Sequence, residues 1–274
     1  MHVPSKIILQ DDAPQLSDVD LANSVISDKS LYESELKQLQ KRILGIQQAY
    51  HHQHQRAIVI LEGWDASGKG GAIRRLTERL DPRGVIVHPI SSPTDDEQGR
   101  HYLYRFQTRL PTPRTWAVFD RSWYGRVMVE RVEKFAPKKA WQRAYHEINE
   151  YERMLTDDCV RIVKIFLHID KDEQLRRFQE RLNNPYKRWK LTLEDIRNRE
   201  KWDDYTQAID QMLKKTSTEA APWHVIAGNH KWFARIQVLR TIAVALEEGI
   251  DTTPPGLDPE VIHAAEQRLG ISPA

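Results

Sequence analysis

In the stretch ILEGWDASGKGGAIRRL, residues 60 to 76, three residues stand where a phosphate-binding loop needs them. Gly63, Gly68 and Lys69 fit G-x-x-x-x-G-K-[ST], a pattern in which backbone amides cradle an anion and the lysine brings a point charge to it. The pattern fails at one position: Gly70 replaces the hydroxyl residue that would help to hold Mg²⁺. A hard cation then needs oxygen from elsewhere, and two aspartates are placed to give it. Asp65 lies inside the loop, and Asp120 ends the apolar run WAVFD, where phosphate-loop enzymes carry a metal-binding acid. On its own Asp120 reads better as a helix cap or turn residue. With the loop upstream, the metal role is the better reading.

Cations surround this pair in sequence. FDRSWYGRVMVERV sets Arg121 directly after Asp120 and adds Arg126 and Arg131. A guanidinium presents a planar fork of donors to phosphoryl oxygens and stays charged at any working pH. Glu130 and Glu133 offer the competing explanation, surface ion pairing; it is preferred for Arg131, whereas Arg121 is assigned to phosphate. A second basic stretch, RRFQERLNNPYKRWKLTLEDIRNREKWDDY, covers residues 176 to 205. Asn183, Asn184 and Pro185 break a helix, Lys187, Arg188 and Lys190 follow around Trp189, and an acid-capped helix resumes near Thr192. A charged turn between two helices is either a solvated face or a lid that closes over phosphates and excludes water. Beside a phosphate loop, the lid is the stronger reading.

These residues need a scaffold, and the hydrophobic pattern describes one. AIVILEG (57 to 63) is a short apolar run rich in β-branched residues, as expected of a strand buried on both faces. A helix follows at Gly70, so the loop amides and the helix N-terminus converge on one anion. Further buried-strand candidates are VIVHPI (85 to 90), WAVFD (116 to 120), RIVKIFLHI (161 to 169) and WHVIA (223 to 227). Helices are expected near 99 to 110, 138 to 157, 171 to 183, 200 to 215, 233 to 248 and 258 to 269. One more precedes the first strand, where Leu36, Leu39, Ile43 and Ile46 form a stripe that HHQHQR ends in a solvated loop rather than a metal site. This alternation predicts an α/β fold with a parallel sheet. Residues 1 to 28 read as an arm laid over the domain, 29 to 250 as the domain, and 251 to 274 as an extension.

Composition excludes little but narrows the setting. With 40% hydrophobic and 29% charged residues, the 274-residue chain suits one globular unit with a sizeable core. Its 41 basic and 39 acidic side chains nearly cancel, so attraction for a polyanion must come from local clustering. The single cysteine, Cys159, rules out an intramolecular disulfide and reads as an inert buried thiol. No basic segment followed by an apolar stretch opens the chain, and no apolar run is long enough to span a bilayer. A cytoplasmic protein is expected.

Four motifs, GWDASGKGG, PTDDEQGRHYLYRFQTRLP, FDRSWYGRVMVERV and NPYKRWKLT, occur in an order and spacing that closely resemble the polyphosphate kinase 2 family of nucleotide phosphotransferases. The resemblance runs from about Leu31 to Glu248. It implies a P-loop kinase-like sheet of about five strands, a helical lid at about 178 to 205, and phosphoryl transfer between inorganic polyphosphate and a nucleotide with Mg²⁺, for which Mn²⁺ is an expected substitute. In the family Asp stands in the loop and Gly after the lysine, as here. Lys69, Asp65, Asp120 and Arg121 match its catalytic positions, with Asp65 and Asp120 toward metal. Gly63, Ala66, Ser67, Gly68, Gly70, Arg126, Arg181, Lys187, Arg188 and Lys190 are the expected phosphate or nucleotide contacts, and Arg74, Arg75, Lys134, Lys138 and Lys139 could extend a track for the polyanion. DRSWYGRVMVERVE looks more like the AMP-phosphorylating branch, so AMP to ADP is placed first and ADP to ATP second. Adenine nucleotides are expected, with guanine left open. An ATP-dependent nucleoside monophosphate or other small-molecule kinase is the alternative. A homo-oligomer without nucleic acid or membrane association completes the expectation.

Overall fold

The computed structural model describes residues 4–273. Helix α1 (Lys29–His52) leads into strand β1 (Arg56–Gly63), the phosphate loop and helix α2 (Lys69–Thr77). Strand β2 (Val85–Pro89), the short helix α3 (Tyr104–Gln107) and strand β3 (Trp116–Asp120) follow, and α4 (Val129–Val132) and α5 (Lys138–Asp157) lead to β4 (Val160–His168). Three helices, α6 (Lys171–Asn183), α7 (Leu193–Glu200) and α8 (Trp202–Thr216), precede β5 (Trp223–Ala227), α9 (Lys231–Glu247) and α10 (Pro259–Leu269).

The strands form one sheet in the order β2-β3-β1-β4-β5, every pair parallel. Alternate residues of β1 explain its continuous apolarity. Ile58 and Ile60 enter a core beneath α5 and α8, while Ala57, Val59 and Leu61 enter a second core beneath α1 and α9. The central strand thus has no polar face, and its C-terminal end delivers the loop to the rim of the sheet. Asp120 reaches the same rim because β3 pairs beside it, Leu61 opposite Asp120. Crevices at the carboxyl ends of parallel strands are where such sheets bind ligands.

Several expectations are corrected. VIVHPI is not buried on both faces: β2 is an edge strand, and Ile86 and Val87 are exposed. The helix expected over 99 to 110 shrinks to Tyr104–Gln107, because Gly99 adopts φ +76° and Glu97 takes the amide of Thr94, folding this segment into turns. Glu97 also pairs with Arg105 and Arg109. Cys159 is exposed, at φ +60° in the turn that enters β4. Helix α1 continues through His51 and His52. No helix among the described residues is long and apolar enough to cross a membrane.

The N-terminal segment crosses the domain in extended and turn conformations, with Leu9 bridged to Thr218. Leu16 enters the core, its amide donating to Asp210 Oδ1 at 3.0 Å. A charge is sealed inside the sheet as well. Lys164 of β4 is fully buried, its Nζ 2.7 Å from Glu152 Oε2 and 2.9 Å from the Tyr124 hydroxyl. A buried ion pair of this kind survives only when its remaining polar atoms are bonded, and here Thr216 O, Trp123 Nε1 and the Tyr124 hydroxyl serve that need.

Candidate active site

The loop leaves β1 at Gly63, whose φ of +145° and lack of side chain are both needed. A Cβ there would lie 2.5 Å from Leu167 O and 2.9 Å from Ser67 Oγ. Ala66 follows at φ +63° and Gly68 at φ +113°, and Gly68 caps α2. Lys69 Nζ donates to Gly63 O (2.7 Å) and Trp64 O (3.3 Å), folded back across the loop. Trp64 packs beneath, stacked on Trp202 at 3.8 Å, with its Nε1 donating to His168 Nδ1 at 3.0 Å. That bond requires an unprotonated Nδ1, and burial holds the His168 imidazole down to about 4 against the opposing charges of Asp210 and Asp170. Ser67, expected to contact phosphate, does not line the cleft: its hydroxyl turns inward without a partner among the described residues, and its amide donates to Trp64 O at 3.0 Å. Nothing lies within 4 Å of a Cβ built on Gly70. Space therefore does not forbid a hydroxyl at this position, and metal binding must be arranged by other groups.

Asp120 and Asp65 line one cleft of about 650 Å³ with Lys69, Arg121, Arg181, Lys187 and Lys190. Arg121, held at φ +67° by its amide bond to Leu61 O, donates from Nη2 to Asp65 Oδ1 at 3.1 Å. The other oxygen of Asp65 accepts from Asn198 Nδ2 at 2.8 Å. Burial alone would raise the Asp65 pKa; the charges of Lys69 and Arg121 and these two bonds outweigh it and hold the carboxyl below its ordinary value. Asp120 has no side-chain hydrogen bond among the described residues. As a hard-oxygen donor, Asp120 thus suits a divalent cation directly, whereas each oxygen of Asp65 already accepts one hydrogen bond and has one remaining lone pair to offer. No cluster of three metal-binding side chains occurs among the described residues, so such a cation would be completed by phosphate oxygens and water.

The basic turn divides its cations. Lys187 and Lys190 line the cleft. Arg181 lines it too, with Nη1 bonded to Lys190 O at 2.8 Å. Arg188 instead spends its Nε on Leu182 O at 2.8 Å and does not line the cleft. Trp189 is 75% exposed at its edge. Thr192 and Asp195 cap the N-terminus of α7 with a capping box. Arg126 is likewise not brought to the cleft: it pairs with Glu130 at 2.9 Å and covers the Tyr102 ring. Arg131 bonds to Tyr145 and Gln211 and stacks on Trp141, a structural role. Arg74, Arg75, Lys134, Lys138 and Lys139 do not line the cleft either.

Sequence reasoning missed several neighbours. Glu62 is buried behind the loop, accepting from Ser122 Oγ at 2.8 Å; burial pushes its carboxyl up, opposed by the charge of Lys69 and the Ser122 bond. A lone acid inside the apolar run ILEG was a visible signal. Asn198, Gln174 and Arg177 gave none, since each sits on a helix already crowded with polar residues, and Lys231 reads only as the first residue of an apolar helix. Behind Asp65 and Arg121, a cavity of about 90 Å³ reaches Met128, Phe166 and Ile209.

A parallel sheet that carries a glycine loop on its central strand, an acid on the neighbouring strand and a basic turn across the cleft defines a P-loop kinase-like fold. The chain belongs to the polyphosphate kinase 2 family, whose model, Polyphosphate kinase 2 (PPK2), matches residues 26–253. It is 45% identical over 246 residues to a polyphosphate:AMP phosphotransferase of Pseudomonas aeruginosa, covering 90% of this chain and 49% of the relative. An AMP/ADP-polyphosphate phosphotransferase of Meiothermus ruber is 40% identical, covering 76% of this chain and 79% of the relative. The crystal structure of polyphosphate kinase 2 from Arthrobacter aurescens superposes with a TM-score of 0.86 at 33% identity, covering 94% of both chains. The chain spans about half the length of the polyphosphate:AMP phosphotransferases it matches.

Proposed function

We propose that this protein transfers a phosphoryl group between inorganic polyphosphate and a nucleotide, with AMP to ADP as the main reaction and ADP to ATP as the second. One observation carries the reading: the loop with Lys69, the Asp120–Arg121 pair and the cations Arg181, Lys187 and Lys190 all face a single cleft. Phosphoryl transfer asks little covalent chemistry of a protein and much positioning and charge stabilisation, and this cleft offers both. Loop amides and Lys69 would hold the terminal phosphate of polyphosphate. An oxygen of the AMP phosphate would attack its phosphorus as the bond to the rest of the chain breaks, leaving the shortened polyanion to take the negative charge. Arg121 would stabilise charge on the transferring group once Asp65 no longer holds it. Asp120, with Asp65, would hold Mg²⁺, which neutralises negative charge between phosphates when bound. Arg126 and Arg188 take no part in this account, because neither lines the cleft.

Relatives at 44–49% identity are named polyphosphate:AMP phosphotransferases, which supports AMP as acceptor. Others at 37–38% carry GDP in their names, which keeps guanine nucleotides in view. Incubation of the protein with AMP, ADP or GDP and either polyphosphate or ATP, followed by separation of the nucleotides, tests the reading. ADP from AMP and polyphosphate is the expected product; product from ATP alone would overturn polyphosphate as donor and favour a small-molecule kinase.

A further inference from the structure

Helix α6 touches the phosphate loop in a way that neither the motifs nor the proposed reaction explains. Gln174 and Arg177 stand three positions apart on this helix, and both are buried. Gln174 Nε2 donates to Asp65 O at 3.1 Å. Arg177 Nη1 donates to Ala66 O at 2.9 Å and Ser67 O at 2.7 Å. Three consecutive loop carbonyls are therefore drawn toward α6. The remaining donors of Arg177 go to Glu173 Oε1 (2.5 Å), Gly228 O (2.5 Å) and Asn229 O (3.1 Å), so all five guanidinium N–H groups are engaged within the protein. Although Arg177 borders the cleft, it has no donor left for a phosphate.

Between those carbonyls lies the strained residue of the loop. Ala66 adopts φ +63°, a conformation that a side chain disfavours and that persists only where its surroundings enforce it. The amides of Ala66, Gly68 and Lys69, all of which border the cleft, have no acceptor among the described residues. A peptide whose carbonyl is turned to one side presents its N–H to the other, so the Asp65 and Ser67 carbonyls fixed toward α6 leave the Ala66 and Gly68 amides available to an anion, while the Ser67 amide closes the loop on Trp64 O.

We infer that Gln174 and Arg177 are positioning residues of the anion site: they hold the 65–67 carbonyls on the α6 side, keep Ala66 left-handed, and thereby preorganise the loop amides for phosphate. The inference rests on the proposed use of the cleft for polyphosphate. Because α6 also runs directly into the basic turn, the same helix ties the loop to the lid.

Binding of inorganic tripolyphosphate to the full chain, measured by calorimetry well below each melting temperature, tests this. Gln174→Ala removes one bond and should fold; Arg177→Lys keeps the charge but loses the fork. Each should weaken tripolyphosphate binding about tenfold, the equivalent of one good hydrogen bond. Adding Ala66→Gly to either variant should restore much of that loss, because glycine adopts the left-handed conformation without being forced into it. Variants that melt lower yet bind tripolyphosphate as the parent does would overturn the inference, as would Ala66→Gly failing to rescue both. A parent chain that does not bind tripolyphosphate would instead defeat the polyphosphate reading itself, a distinct result.

Discussion

The phosphate loop and the basic turn face each other across one cleft, yet they are built in opposite ways. From Gly63 to Lys69 the loop is fastened by α6 and backed by Trp64 on Trp202, with Trp64 and Ser67 almost wholly buried. The turn from Asn184 to Leu191 is bonded chiefly to itself and to the end of α6, and its Tyr186 and Trp189 are 89% and 75% exposed. Groups fixed before substrate arrives stabilise charge without reorganisation at the moment of reaction. Groups on an exposed turn act only after closure. On the proposed function, the loop would be the preformed half of the site and the turn the half that substrate completes.

The largest expected effect lies in the preformed half. Lys69→Ala should lower polyphosphate-dependent transfer by about 10³-fold, with little change in melting temperature, because only two carbonyl contacts are lost and no packed core is disturbed. Activity within a few-fold of the parent would show that the loop does not hold the reacting phosphate.

At the two aspartates proposed to hold Mg²⁺ the comparison sharpens. Asp120→Asn should raise the Mg²⁺ concentration for half-maximal rate by about 10- to 100-fold. Asp65→Asn should act more through the rate at saturating Mg²⁺, since both its oxygens already serve Arg121 and Asn198; the double substitution should be inactive. Equal Mg²⁺ shifts in the two single variants would put Asp65 on the metal as directly as Asp120.

Within the turn, Lys187→Ala with Lys190→Ala should cut the rate about tenfold or more. Stability should move by no more than about 1 kcal/mol, as for other exposed charges. Arg188→Ala, whose guanidinium is spent on Leu182 O, should leave the rate near that of the parent. A loss at Arg188 as large as at the two lysines would mean that closure turns it inward.

The last expectation concerns acid and the fold rather than the rate. The His168 pKa lies below the imidazole's ordinary value, so the stability it contributes is present above about 6.5 and is lost as pH falls toward about 4. Melting curves across that window should lose on the order of 2 kcal/mol at this residue, and His168→Gln should flatten the slope. Because Trp64 donates to this ring, indole fluorescence should report the same titration. An unchanged slope in the variant would move the acid sensitivity elsewhere.

Much of this site could be read from the chain because its makers are local. Gly63, Lys69 and Asp120 declare themselves through spacing and through the ends of apolar runs, and all five strands follow from short hydrophobic stretches. What stayed hidden depends on contacts between segments far apart in sequence. Nothing around Arg177 announces that its guanidinium folds onto residues 66 and 67, and nothing around Asn198 points to Asp65. Arg126 and Arg188 show the converse: a correct residue type beside a correct motif was claimed by a nearer partner, Glu130 in one case and a helix-end carbonyl in the other. Burial of VIVHPI was misread because an edge strand keeps the composition of an inner one. The turns over 94 to 103 overrode helical spacing through Gly99 and Glu97.

The place of β1 at the centre of the sheet has a bearing on how the chain acquires its shape. Its neighbours are β3, which starts at Trp116, and β4, which starts at Val160. A strand made early and paired only with later ones gives a fold of high contact order, in which loop-closure entropy is met before pairing returns any energy. At synthesis rates of about 5–20 residues per second, RAIVILEG would wait on the order of several seconds for both partners to be made. Throughout that interval the central strand, whose buried residues span both cores and which leads into the glycine loop, is an unpaired template open to aggregation or to a chaperone.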